Sequence, residues 1–192
     1  MLNENYNLIS VIIPCFNSGK VLNRAINSVN NQTYPEIEIL LINDGSDDNE
    51  TLEILNSYKS FSNIKLINQE NLGLSAARNK GALKARGNYL FFLDCDDWIE
   101  PRTLELMYAF LKKNKKKVFV FSDIILEGAI NKKVQKEYNL FEQLFINQLP
   151  YSILISKENW KKNGGYDEKM RDGYEDWDFN IRLGALKIYG MR

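Results

Sequence analysis

Short apolar runs alternate along this chain with longer stretches in which apolar residues recur every three or four positions. The first run, positions 8–14, is β-branched and ends at Pro14, which predicts a buried strand. Val21, Leu22, Ala25, Ile26 and Val29 then share one helical face. Asn17 or Ser18 stands where a cap for that helix is needed, and it should stop near Pro35. Positions 37–43 predict a second strand, closed by Asp44-Gly45-Ser46-Asp47-Asp48. Asp47 and Asp48 place negative charge at the start of the next helix, whose apolar positions are Leu52, Ile54, Leu55 and Tyr58. A short third strand falls at 64–67. A helix rich in small residues follows over 75–85, and Gly87 should end it.

The run at 89–93 is too short for a buried helix and suits a fully buried strand. Pro101 fits the first turn of a helix carrying Leu104, Leu106, Met107, Phe110 and Leu111, closed by the lysine-rich stretch 112–117. Positions 118–121 predict a further strand. Between 122 and 149 the pattern is weaker and suggests a hairpin over Gly128 and a short helix at 140–146. A strand-like run at 151–155 precedes a helix capped by Ser156 and ended by Gly164-Gly165. A last helix starts at about Glu175, with Phe179, Leu183 and Leu186 on one side. Repeated strand–helix alternation predicts an α/β fold, a doubly wound and mostly parallel sheet in a single domain over residues 1–192.

Composition narrows the function. The chain of 192 residues has 25 basic and 25 acidic side chains, so nothing asks for nucleic acid as a partner. Cys15 and Cys95 end apolar runs and read as small buried residues rather than a disulfide, which fits a reducing cytoplasm. Residues 1–7 do not read as a signal peptide, and no apolar run approaches the length of a membrane span. The lysine stretch reads first as a solvated helix end and second as a peripheral contact with a membrane surface. Without a single histidine, any metal must be held by oxygen, and a general base would be a carboxylate.

The chemistry concentrates after the strand at 89–93, where Asp94, Asp96 and Asp97 follow at once. In open parallel sheets, ligands bind beyond the carboxyl ends of the strands. Carboxylates this close repel unless a cation sits among them, and a hard divalent ion binds through one or two carboxylates plus substrate phosphates.

Five separated motifs then coincide. They are Val11-Ile12-Ile13-Pro14-Cys15-Phe16-Asn17, Ile42-Asn43-Asp44-Gly45-Ser46-Asp47-Asp48, Asn71-Leu72-Gly73-Leu74-Ser75-Ala76-Ala77-Arg78-Asn79-Lys80-Gly81, Leu93-Asp94-Cys95-Asp96-Asp97 and Gly173-Tyr174-Glu175-Asp176-Trp177-Asp178. In this order and spacing they resemble the family-2 inverting glycosyltransferases of the GT-A fold, from about Leu8 to the end of the chain. The resemblance implies transfer of a sugar from a nucleotide-diphosphate sugar, often a UDP-sugar, to a hydroxyl of a carbohydrate or glycolipid acceptor. The family setting would be surface polysaccharide, lipopolysaccharide or glycolipid synthesis at the cytoplasmic face of a membrane.

It also implies roles for single residues. Pro14, Phe16 and Asn17 would wall the nucleotide pocket, Asp44 would accept from the base, and Arg78 would touch base or phosphate. Asp94 would face the ribose or base, while Asp96, assisted by Asp97, would hold Mg²⁺ or Mn²⁺. Asp176 would be the catalytic base, with Glu175 orienting it or binding the acceptor. Trp160 and Trp177 suit either a sugar face or the core. Family members usually continue further and often bring a histidine to the metal, so a C-terminally incomplete catalytic domain is the expectation. A nucleotidyltransferase would need a glycine-rich loop after the first strand, and Pro14-Cys15-Phe16-Asn17-Ser18-Gly19-Lys20 matches that poorly. A non-catalytic nucleotide-sugar-binding fragment is the other alternative. Oligomeric state is not legible.

Overall fold

In the computed structural model, which describes residues 7–114 and 118–192, the central strand is β1 (Ile9–Cys15). It pairs in parallel with β2 (Ile37–Asp44) on one side and with β4 (Tyr89–Phe92) on the other. β3 (Ile64–Gln69) extends the sheet beyond β2, again in parallel. On the β4 side lie β8 (Ile153–Ser156), antiparallel to both neighbours, then β5 (Val118–Phe121) and β9 (Tyr189–Met191). The order is therefore β3-β2-β1-β4-β8-β5-β9, mostly parallel as the alternation predicts. Because β2 and β4 leave β1 on opposite sides, a crevice opens at the carboxyl ends of β1 and β4. A separate two-stranded hairpin, β6 (Ile124–Leu126) with β7 (Lys132–Val134), turns over Gly128.

Side-chain period two sorts the core into two layers. Val11, Ile13, Cys15, Ile39, Leu41, Phe91 and Leu93 face one side. There they meet α1 (Gly19–Asn30), α2 (Asn49–Ser57) and α4 (Thr103–Asn114). Ile12, Leu40, Ile42, Leu90 and Phe92 face the other, covered by α3 (Leu74–Lys84), α6 (Lys157–Asn163) and α7 (Glu175–Ala185). The small residues of α3 let it approach β1 closely: a Cβ on Gly81 would lie 2.4 Å from Ile12 Cγ2.

Several expectations need correction. Ser18 precedes α1, but its hydroxyl donates to the Phe16 carbonyl instead of capping the helix. α4 begins at Thr103, not Pro101. The Pro101 carbonyl accepts from Thr33 N–H, and Gln32 Oε1 accepts from Leu104 N–H, so the cap comes from a distant loop. Val21, Leu106 and Phe110 are exposed because each helix buries a narrower stripe than its apolar residues span. The short helix α5 covers only Leu140–Gln143, capped by Asn139. Tyr151 lies before β8 rather than in it. Leu186 is exposed because Lys187, at φ 59°, turns the chain into β9, and Ile188 takes the buried place. β9 itself has too few residues to show a pattern. Lys112 and Lys113 do close α4, while Lys115–Lys117 lie outside the described residues, as do residues 1–6. Among the described residues no helix is long and apolar enough to cross a membrane.

Candidate functional site

The crevice is a cavity of about 410 Å³ lined by Pro14 near the end of β1, Phe16 and Ser18 after it, Asp44 at the end of β2, and Asp94, Cys95 and Asp96 after β4. Gly73, Leu74 and Ala77 from the start of α3 close its far side. Four of the predicted pocket residues, Pro14, Phe16, Asp44 and Asp94, thus line one space, together with Asp96.

Asn17 does not line it. At φ 47°, Asn17 clamps two loops together: its Oδ1 accepts from Asp47 N–H at 3.0 Å, and its Nδ2 donates to Asp47 Oδ1 at 2.7 Å. Its own N–H donates to Ser46 Oγ. Asp48 caps α2 through Thr51 N–H at 2.7 Å. Asp44 is buried and already takes three donors, Gln69 Nε2 at 2.7 Å and the N–H groups of Leu72 and Gly73 at 2.9 Å each. It fastens β2 to the loop that leads into α3.

Arg78 is the hub. Its side chain is 1% exposed, so its charge must be paired. Nη2 donates to Asp94 Oδ1 at 2.8 Å and Nη1 to Glu175 Oε1 at 2.7 Å. Burial opposes the guanidinium charge, but Asp94 and Glu175 outweigh it and hold Arg78 firmly protonated. Burial also raises the Asp94 carboxyl, with Arg78 opposing. Tyr151 and Tyr166 flank the guanidinium, with ring centroids 5.0 and 5.3 Å away. Glu175 of the predicted catalytic pair and the predicted donor residue Asp94 are thereby joined through one cation.

Asp176, next to Glu175 in the first turn of α7, accepts from Asn147 Nδ2 at 3.2 Å on both oxygens and from Trp177 N–H at 2.7 Å. Burial raises its pKa, and the neighbouring Glu175 adds to that, while the Asn147 bond opposes it. A carboxylate so raised is a better proton acceptor than an exposed one.

The three acidic residues after β4 have separate fates. Asp96 is exposed on the cavity and takes no hydrogen bond or ion pair from the described residues. Asp97 turns away. Its Oδ2 accepts from Tyr151 Oη at 2.6 Å, and it lines a second cavity with Trp98, Ser122, Asp123 and Lys133. Tyr151 Oη accepts in turn from Asp94 N–H at 3.0 Å, so one phenol holds the acidic turn at both ends. Among the described residues no group of three or more His, Cys, Asp and Glu is poised to hold a metal. The available donors are carboxylate oxygens, with Asp96 free. That fits a hard divalent ion completing its shell with phosphate and water, and does not fit a closed protein cage.

Tyr151, Tyr166, Asn147 and Asn79 escaped the sequence reading as site residues. Asn79 grips the Tyr166 backbone, donating to its carbonyl and accepting from its N–H, each at 2.9 Å. Asn79 stood inside a quoted motif, next to Arg78. Asn147 stands in the weakly patterned part of the chain, Tyr151 opens a run read as a strand, and Tyr166 follows the glycine pair that ends α6. Trp160 is buried in the core, and Trp177 Nε1 donates to the Gln143 carbonyl, tying α7 to α5.

Comparison with known proteins agrees with this arrangement. Residues 10–169 match the model of Glycosyl transferase family 2. Glycosyltransferase GlyA of Streptococcus pneumoniae is 36% identical over 153 residues, which is 73% of this chain and 22% of that protein. Cholesterol galactosyltransferase of Borreliella burgdorferi is 41% identical over 126 residues, 65% of this chain and 35% of that protein. The crystal structure of S. aureus TarS in complex with UDP-GlcNAc superposes with a TM-score of 0.77 at 26% identity, covering 96% of this chain and 56% of that one. The chain therefore spans a fifth to about a third of the length of these two curated relatives.

Proposed function

The chain belongs to glycosyl transferase family 2 with the GT-A fold, and from that premise we propose that it transfers a sugar from a UDP-sugar to an acceptor hydroxyl with inversion at the anomeric carbon. The observation that carries this reading is the Arg78 bridge. It joins Asp94, on the wall of the cavity, to Glu175, beside the base candidate Asp176. Donor and acceptor chemistry need to meet within one site, and this bridge joins the groups suited to each.

In this reading Pro14, Phe16, Asp44 and Asp94 receive the nucleoside. Asp96 holds Mg²⁺ or Mn²⁺, which when bound neutralises charge on the departing diphosphate. Asp176 accepts the proton of the acceptor hydroxyl as that oxygen attacks the anomeric carbon opposite the leaving diphosphate. Burial keeps Asp176 basic, Asn147 and the Trp177 N–H orient it, and Glu175, paired with Arg78, fixes the first turn of α7. A single displacement of this kind inverts the configuration. TarS has been crystallised with UDP and with UDP-GlcNAc, which supports a uridine donor here. Relatives named chondroitin synthase and hyaluronan synthase support a carbohydrate acceptor, and the cholesterol galactosyltransferase supports a lipid one.

Calorimetric titration of UDP with and without Mn²⁺ tests the donor half. Binding that needs Mn²⁺ and disappears in Asp96→Ala is the expected result. Metal-independent binding in both proteins would remove Asp96 from the metal role. Product anomeric configuration, read by NMR after turnover of a UDP-sugar, tests inversion.

A further inference from the structure

The proposed reaction uses neither cysteine, yet both cysteines stand on the wall of its cavity. β1 and β4 run in parallel with Ile12 opposite Phe92, and Leu93 N–H donates to the Ile12 carbonyl. Cys15 ends β1 and Cys95 stands in the turn just after β4, so both lie at the carboxyl ends of these neighbouring strands. Both also fall on the same face of the sheet, Cys15 with Val11 and Ile13, Cys95 packed against that same cluster. Adjacent strands lie about 4.8 Å apart, inside the Cα separation of about 4.4–6.8 Å that a disulfide spans. The two side chains are near enough to interact, and both thiols are free.

We propose that Cys15 and Cys95 form a dithiol site that a peroxide-class oxidant closes into an intramolecular disulfide, reshaping the cavity beside Asp94 and Asp96. The bond itself is independent of the glycosyltransferase reading; only its effect on UDP rests on that reading. One thiolate attacks the peroxide, the O–O bond breaks, and a sulfenic acid and water form. The second thiolate attacks that sulfur, an S–S bond forms, and hydroxide leaves to become a second water. In sum two thiols and one hydrogen peroxide give one disulfide and two waters. Cys95 is the more exposed of the two thiols, so it meets the oxidant first. Cys15, buried behind it, is the resolving thiol.

The consequence follows from position. Cys95 sits between Asp94 and Asp96 in the chain, and Cys15 immediately precedes Phe16. Bonding shortens the sulfur separation to about 2.05 Å. That draws the acidic turn toward the β1 loop and turns Asp96 off the cavity.

The test treats the full chain with hydrogen peroxide, then alkylates and digests it for mass spectrometry. The expected result is loss of both alkylatable thiols, one peptide pair linking Cys15 to Cys95, and a mass lower by two hydrogen atoms, all reversed by dithiothreitol. Cys15→Ser and Cys95→Ser should each stop at a sulfenic acid on the remaining cysteine, trapped by dimedone. Two thiols that stay alkylatable, that proceed to sulfinic acid without bridging, or that link two chains would overturn the site. With Mn²⁺ present, the oxidised protein should bind UDP roughly tenfold more weakly than the reduced protein. Equal affinities would overturn the reshaping. Failure of the reduced protein to bind any UDP would instead sink the donor reading, with the peptide link still deciding the disulfide.

Discussion

Arg78 Nη1 and Glu175 Oε1 lie 2.7 Å apart although their residues are 97 positions apart in the chain. The same guanidinium reaches Asp94, so one buried cation holds two carboxylates, one from the turn after β4 and one from the first turn of α7. Removing one partner of a buried ion network leaves the others uncompensated. Arg78→Ala should therefore destabilise the fold by about 3–5 kcal/mol. Arg78→Lys keeps the charge but lacks the planar fork that spans both partners, so it should fall between the wild type and Arg78→Ala. Urea unfolding of the three proteins measures this. An alanine variant as stable as the wild type would contradict the bridge.

Asp176 is where stability and function should part. Its pKa is raised by burial, so the folded protein binds its proton more tightly than the unfolded chain does. The ionised form thus costs stability at neutral pH, a cost that is relieved as pH falls through the raised pKa. Asp176→Asn is neutral and should leave the midpoint of thermal unfolding unchanged or higher. Turnover should fall by about 10²–10⁴-fold. In the wild type, turnover should rise with pH through that same pKa, because only the ionised base accepts a proton, and Asp176→Asn should lose this acid limb.

How much of this was legible follows from how strongly each segment is patterned. The runs at β1, β2 and β4 are buried on both faces, so each strand stands out as a largely apolar block, interrupted at Ser10 in β1 and Glu38 in β2. The cavity-lining Pro14, Phe16, Asp44 and Asp94 stand at or just past the ends of these strands, in motifs carried by the family resemblance. The pairing of Arg78 with Asp94 and Glu175 was not, because charge pairing across the sheet leaves no periodic mark. Tyr151 and Asn147 sit in segments whose conformation is set by what their side chains reach, Asp94 and Asp97 in one case and Asp176 in the other. Asp97 stands beside Asp96 in sequence, yet a tight turn, closed by Asp97 N–H to the Asp94 carbonyl, sends it to another cavity.

At the other end of the sheet, Glu38 should make the fold acid-sensitive. It is 5% exposed and accepts from Ser10 Oγ, from the N–H and Nε of Arg86 and from Gly87 N–H. Burial opposes its ionisation, but the Ser10 and Arg86 bonds outweigh that and hold its pKa below the ordinary value. A depressed carboxylate contributes stability above the unfolded-state pKa and loses it as pH falls through the folded-state pKa. Glu38→Gln should cost about 1–3 kcal/mol near neutral pH. The gap to wild type should narrow as pH falls below the ordinary carboxylate range, measured by urea unfolding at each pH.

Asp44 combines a structural duty with a place on the cavity wall, and two substitutions separate them. Its carboxylate takes Gln69 and Leu72 on Oδ1 and Gly73 on Oδ2. Asp44→Asn replaces one of those oxygens with a donor, so at least one backbone N–H ahead of α3 loses its acceptor, costing about 1–3 kcal/mol. Gln69→Ala removes a donor but leaves the carboxylate in place, with its two backbone bonds intact. Both variants should unfold earlier than wild type. If Asp44 also accepts from the base of the donor, only Asp44→Asn should weaken UDP binding, by roughly tenfold, since one hydrogen bond to a charged acceptor is lost. Calorimetry at a temperature where both variants are folded decides it. Equal UDP affinities would confine Asp44 to holding the loop. Equal losses would mean that the loop's position, rather than the carboxylate itself, governs the pocket.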